Sequence, residues 1–170
     1  MSDGKIYVKI NTGKQTLDFD NTLCIHTYRL SSYDSIDYCE SVIHGSEWWT
    51  KIGCKTNKHM KEFMTLMKNQ GVRLGLISQT DSYLHMTRKN EWIQNNYGIE
   101  LENFCVSSNA SKINMMKALS KAYNIRRDKI LIVDDKESIL CDAINNGFQA
   151  ASPMEVVNYV TNEINKETVQ

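Results

Sequence analysis

The chain reads as an α/β protein with a parallel sheet covered by helices on both faces. Two observations predict it. Short apolar runs, Leu74–Ile77 and Ile130–Val133, each end on a polar residue, Ser78 and Asp134, as buried parallel strands do where they leave the core. Segments with helical apolar spacing lie between and after these runs, punctuated by Gly71, Gly98 and Gly147. Strands alternating with helices build parallel sheets, and such sheets gather their sites at the carboxyl ends of the strands.

Taken in order, Lys5–Ile10 alternates and reads as a strand, Asn11-Thr12-Gly13 as a turn, and Gln15–Asp18 as a second short strand that would pair with the first in a hairpin. Lys14, Gln15 and Thr16 are polar for a buried central strand. Asn57–Asn69 carries Met60, Phe63, Met64 and Met67 at i, i+3, i+4 and i+7 and predicts a helix stopped by Gly71. Val72–Ser78 follows as a strand. Asp81 is placed to cap a helix running to about Asn96 and ending at Tyr97-Gly98. Phe104–Val106 is a short strand, and Ser111 caps a helix Lys112–Tyr123 with Met116, Leu119 and Tyr123 on one face. After the strand Ile130–Val133 come a helix Ser138–Asn146, a strand Phe148–Ala150, and a last helix opened by Ser152-Pro153 and reaching about Ile164. Val156, Val157 and Val160 should face inward, and residues 165–170 form a polar, frayed tail.

A chain of 170 residues with 41% hydrophobic and 24% charged residues suits one globular domain, 1–170. The formal net charge is zero, so no global field favours a long nucleic acid or an anionic membrane. The basic pairs Arg88-Lys89 and Arg126-Arg127 read as solvated helix or loop positions. Cysteines 24, 39, 54, 105 and 141 form no C-x-x-C, and their odd number suits reduced thiols in the cytoplasm. No apolar stretch approaches the roughly 18 residues of a membrane span, and no secretory leader is apparent. The single proline among many Asn, Lys and Ile suggests an AT-rich genome, such as that of a phage or virus.

The chemistry concentrates in Leu17-Asp18-Phe19-Asp20-Asn21-Thr22-Leu23. Two residues along an extended strand share a face, so Asp18 and Asp20 would stand together. Carboxylates so close persist when a metal ion or a proton offsets their charge. One can then serve as nucleophile and the other as acid and base. Ser78, Lys112 at the start of an amphipathic segment, and the second acidic pair Asp134-Asp135 follow in the chain.

In order and content these four motifs resemble those of the haloacid dehalogenase (HAD) superfamily, most of whose members are phosphatases, over about residues 14–150. The resemblance implies a three-layer Rossmann-like HAD fold and a magnesium-dependent phosphomonoester hydrolase. It implies that Asp18 attacks phosphorus to form an aspartyl-phosphate, and that Asp20 protonates the leaving oxygen and then activates water, a role that needs a raised pKa. Mg²⁺ would be held by Asp18, the Asp20 carbonyl, Asp134 and Asp135, the last directly, through water, or as an orienting group only. Ser78 would donate to a phosphoryl oxygen, with the N–H groups of Phe19, Asp20 and Gln79 completing the cradle. Lys112 would neutralise charge, with Lys117 as its rival, and Thr22 would support the first loop.

Residues 21–56 leave room for a flap or small helical cap above an open site, which an oligomeric partner would also be able to cover. The spare architecture resembles the small magnesium-dependent phosphatases. Asp20 argues against dehalogenase chemistry, and the short insert argues against a mutase. A phosphorylated small molecule, nucleotide or sugar phosphate, is the favoured substrate. Two alternatives stay open: a polynucleotide-end or phosphoprotein phosphatase, and a non-catalytic binding protein on the same scaffold. Cys24, His26, Cys39, His44, Cys54 and His59 fit no compact zinc pattern and read as packed thiols and loop histidines. Tyr28, Tyr33, Tyr38, Trp48 and Trp49 would pack the flap or stack on a base.

Overall fold

The computed structural model describes residues 14–17, 24–26, 54–80, 83–104, 106–107 and 110–168. The expected strand Lys5–Ile10 and its hairpin, the Asp81 cap and the flap aromatics lie outside these residues. Five strands form one parallel sheet: β1 (Lys14–Leu17), β4 (Arg73–Leu76), β6 (Glu102–Asn103), β8 (Ile130–Val133) and β9 (Gln149–Ala151), in the order β6-β4-β1-β8-β9. The short polar β1 is therefore the central strand. Its Leu17 lies level with Leu76 on one side and Val133 on the other.

Among the described residues the α-helices are α1 (Lys58–Asn69), α2 (Tyr83–Tyr97), α3 (Lys112–Ala122), α4 (Glu137–Asn145) and α5 (Pro153–Glu167). Alternation along β8 explains the three layers. Leu131 and Val133 join a core with Met60, Phe63, Met64 and Met67 of α1, Trp92, Ile93 and Tyr97 of α2, and Val156 and Val160 of α5. Ile130 and Ile132 join a second core with Ile113 and Met116 of α3, Ala143 of α4, and Phe148. Successive strand residues face opposite sides, so each apolar strand supplies both cores.

Helix starts follow their sequence signals. Asn57 caps α1, its side chain accepting from the N–H groups of His59 and Met60 at 3.2 and 3.4 Å, while its own N–H donates to Tyr97 Oη at 2.7 Å. Ser152 and Glu155 form a capping box on α5, with Pro153 in the first turn. Gly71, Gly98 and Gly147 adopt φ of +73°, +66° and +83°, the left-handed region that glycine enters without a Cβ penalty.

Several expectations are corrected. The strand after α2 enters the main sheet at Glu102–Asn103, while β7 (Val106–Ser107) pairs instead with β5 (Gln79–Thr80). Helix α5 runs through Glu167, because Val156 and Val160 anchor it and polar residues extend its exposed side, so residues 165–167 of the expected frayed tail are helical. Tyr123 is exposed at the C-cap of α3, beneath the Arg73 guanidinium at 4.4 Å, and Ile113 takes its place on the buried face.

The ends of the insert 21–56 also have a shape. β2 (Cys24–His26) and β3 (Cys54–Thr56) pair antiparallel as a two-stranded ribbon, so the chain leaves and returns side by side. Among the described residues no helix is long and apolar enough to cross a membrane.

Candidate active site

The carboxyl ends of β4 and β8 flank the end of β1. Beyond them stand the buried polar residues Ser78, Lys89, Lys112 and Asp134. A buried polar group needs a partner, and these four meet in pairs. Asp18, Asp20 and Thr22 lie outside the described residues, as do Phe19 and most of the cysteine- and histidine-containing segment. In the chain, Asp18 follows Leu17 directly.

Asp134 follows the last residue of β8 and is fully buried. Its N–H continues the ladder to Ala151 O at 3.2 Å, which fixes the backbone. Its Oδ1 accepts the Lys136 N–H at 2.9 Å and its Oδ2 accepts Lys112 Nζ at 2.7 Å. Lys112 opens α3 behind the Ser111 cap, whose hydroxyl accepts the Asn114 N–H, and this start aims the buried lysine at Asp134. Lys117, its rival by sequence, is half-buried further along the same helix and forms no ion pair among the described residues.

A carboxylate offers about four lone-pair sites, so two bonded oxygens leave Asp134 capacity for a cation. Hard, oriented carboxylate oxygen is the donor chemistry Mg²⁺ selects, and Asp134 fits it. Asp135 turns outward and is exposed. Partial burial of its carboxyl, and then the neighbouring Asp134 charge, raise its pKa, against the opposing pull of Lys112.

Ser78 stands on the β4 side, two residues beyond Leu76, buried to 1%. Its Oγ accepts Lys89 Nζ at 2.9 Å. Gln79 is tied down by its own side chain, Nε2 donating to Ala110 O at 2.9 Å, across the loop that leads into α3. The two halves of the site are thus linked at Gln79 and Ala110.

Lys89 corrects the reading of Arg88-Lys89 as solvated. It is 1% exposed, on the inner side of α2. The signal lay in spacing: Lys89, Trp92, Ile93 and Tyr97 form one helical stripe, and the lysine occupies a position in it.

The arrangement can hold an anion, with Lys89 and the Ser78 hydroxyl on the β4 side of the central strand and Lys112 with the fixed Asp134 carboxylate on the β8 side. Solved structures share the architecture. A haloacid dehalogenase-like hydrolase from Streptococcus pneumoniae superposes with a TM-score of 0.57, at 11% identity over 87% of this chain and 90% of that one. The fold is that of the haloacid dehalogenase-like hydrolases. A HAD-family enzyme of Bacteroides thetaiotaomicron, solved with magnesium and inorganic phosphate, matches at TM-score 0.56 and 11% identity, over 84% and 94% of the two chains. An uncharacterized Corynebacterium glutamicum protein matches at 0.54 and 14%, over 89% and 94%. No protein-family profile and no curated protein sequence matches the chain.

Proposed function

We propose that this HAD-fold protein is a Mg²⁺-dependent phosphatase that hydrolyses a phosphomonoester through an aspartyl-phosphate on Asp18. The buried Lys112–Asp134 pair at the end of β8 carries this reading. It follows β8, whose last residue is level with Leu17 of β1, and the sequence continues from Leu17 into Asp18-Phe19-Asp20. Ser78 at the end of the opposite neighbour β4 supports it.

In the first step an Asp18 oxygen attacks phosphorus in line. The P–O bond to the leaving group breaks, and Asp20 gives its proton to the departing oxygen. In the second step Asp20 takes a proton from water, whose oxygen attacks phosphorus and expels the Asp18 carboxylate, releasing inorganic phosphate. Ser78 donates to a non-bridging oxygen, and Lys112 balances the charge of the phosphoryl group and the carboxylates. Asp134, with Asp18 and Asp20 and with Asp135 nearby, would hold Mg²⁺, which supplies charge neutralisation at the phosphoryl oxygens.

A phosphorylated small molecule is the favoured substrate class, because the neutral chain lacks the field a long polyanion would seek. The shortness of the insert, residues 21–56, favours a flap over a large cap.

The test is phosphate release from mononucleotides, sugar phosphates, 3′- and 5′-phosphorylated oligonucleotides and phosphopeptides, with Mg²⁺ or EDTA. Wild type should act only with Mg²⁺, and Asp18→Asn should lose at least about 1,000-fold, as removal of a covalent nucleophile does. Turnover that survives Asp18→Asn refutes the covalent mechanism. Absence of turnover by folded wild type on every ester favours a binding role.

A further inference from the structure

Lys89 is a buried cation that none of the four motif positions accounts for. Its helix α2 begins at Tyr83, shortly after Ser78, and turns Lys89 inward beside Trp92 and Ile93. Ser78 is one of its partners, at 2.9 Å from Nζ. A lysine has three N–H donors and no acceptor, so in this bond Ser78 Oγ is the acceptor. The direction of the Ser78 proton follows. A hydroxyl whose lone pair is taken by a lysine turns its O–H away from that lysine. Among the described residues that O–H meets only Gln79 O, at 3.5 Å, beyond the usual range of about 2.5–3.0 Å for such a bond. A buried hydroxyl proton gains from a good acceptor, and an anionic oxygen arriving at the site supplies one.

We propose that Lys89 is a positioning residue that sets the Ser78 hydroxyl as a donor toward the phosphoryl oxygen, from the β4 side of the site. This rests on the phosphatase reading of the same site. Two lysines are then divided between the neighbours of β1: Lys89 acts through Ser78 on the β4 side, and Lys112 acts on the β8 side with Asp134. A hydroxyl fixed before substrate arrives needs no reorientation in the transition state, which is where such donors contribute most.

The experiment is a double-mutant cycle on kcat/KM for p-nitrophenyl phosphate with Mg²⁺, using Lys89→Met, Ser78→Ala and the pair. Lys89→Arg is a second single variant, and inorganic phosphate binding is measured by calorimetry for each protein. Circular dichroism establishes that each is folded. Lys89→Met should lower kcat/KM by about 30- to 300-fold, in the range of a lost oxyanion donor. In the Ser78→Ala background the same change should cost less than about 5-fold, because the group it orients is gone. Lys89→Arg should restore part of the loss. Phosphate affinity should fall in Lys89→Met and change little further in the pair.

A merely structural lysine would give additive losses and unaltered phosphate affinity in the folded variant, and that result overturns the proposal. Lys89→Met within about 2-fold of wild type also overturns it. If Lys89→Met fails to fold, Lys89→Arg decides: equal losses in the presence and absence of the Ser78 hydroxyl refute coupling. Wild type that turns over no ester yet binds phosphate through Lys89 and Ser78 sinks the phosphatase reading and keeps the anion site. Wild type that neither turns over nor binds phosphate overturns both.

Discussion

Removing the Lys112 amine should destabilise the fold strongly, independently of any catalysis. The side chains of Lys112 and Asp134 are 5% and 0% exposed, which places the pair in the buried regime. A surface pair is worth about 0–1 kcal/mol, whereas deleting one partner of a buried pair costs about 3–5 kcal/mol, because the other charge stays desolvated. Asp134 keeps the Lys136 N–H at 2.9 Å after the change, which argues for the lower end, about 3 kcal/mol. In a domain of this size each kcal/mol moves Tm by about 2–4 °C, so Lys112→Met should melt about 6–12 °C below wild type. The assay is thermal and urea unfolding followed by circular dichroism in EDTA, for wild type, Lys112→Met and Lys112→Met/Asp134→Leu. The double variant should recover much of the loss, since it removes both charges of the pair. Lys112→Met melting within about 2 °C of wild type, or a double variant less stable than the single, would refute the buried-pair account.

Two further substitutions test the packing of the domain elsewhere. Gly75→Ala puts a Cβ 2.7 Å from Phe104 Cε2 and 2.9 Å from Cδ2, well inside an ordinary carbon contact of about 3.5–4.0 Å. The Phe104 N–H is held by Leu76 O at 2.8 Å, so the ring must swing outward; the urea midpoint should report a loss of about 1–2 kcal/mol, and a gain in stability would show that the ring does not sit over Gly75. Tyr159, edge-on to Phe63 at 6.1 Å, has its pKa raised by burial and then by Glu163. Its unfolded-state hydroxyl ionises near pH 10 while the folded one resists, so its contribution is complete below about pH 10 and declines as pH rises through the folded pKa. Tyr159→Phe should flatten the fall of Tm between about pH 9 and 11, and an unchanged slope would count against that shift.

Much of the architecture was legible because the apolar runs were unambiguous. Ile130–Val133 is apolar on both faces and became β8 with the same limits. The Met60, Phe63, Met64, Met67 stripe became the buried side of α1, and Ser111 and Ser152 cap the helices they were expected to cap. Lys112 was preferred to Lys117 for its place at a helix start, and in the structure it is buried against Asp134 while Lys117 is half-buried. What escaped had physical causes. The β6 edge carries Glu102 and Asn103, polar residues that no apolar pattern marks, and an adjacent run, Phe104–Val106, took the assignment. Lys89 escaped because charge outweighed position: a lysine beside an arginine reads as solvent-facing, although its helical spacing to Trp92 and Ile93 turned it inward.

The sheet order explains why chemistry from distant parts of the chain converges. From β1 the chain first builds β4 and β6 on one side, then crosses to build β8 and β9 on the other. Connections leaving the neighbours of β1 therefore diverge, and a crevice opens at the carboxyl end of the central strand. Ser78 and Lys89 come from one side of that crevice and Lys112 and Asp134 from the other, so neither half holds the full set. Zero net charge on the chain is also no obstacle to the anionic substrate proposed above. A surface field is screened within about 10 Å at ordinary salt, whereas lysines buried beside a hydroxyl and a carboxylate act at contact distance in a medium of lower dielectric. Recognition built this way does not depend on net charge. It depends on the inward turn of two helices, α2 at Lys89 and α3 at Lys112, each set by its apolar neighbours.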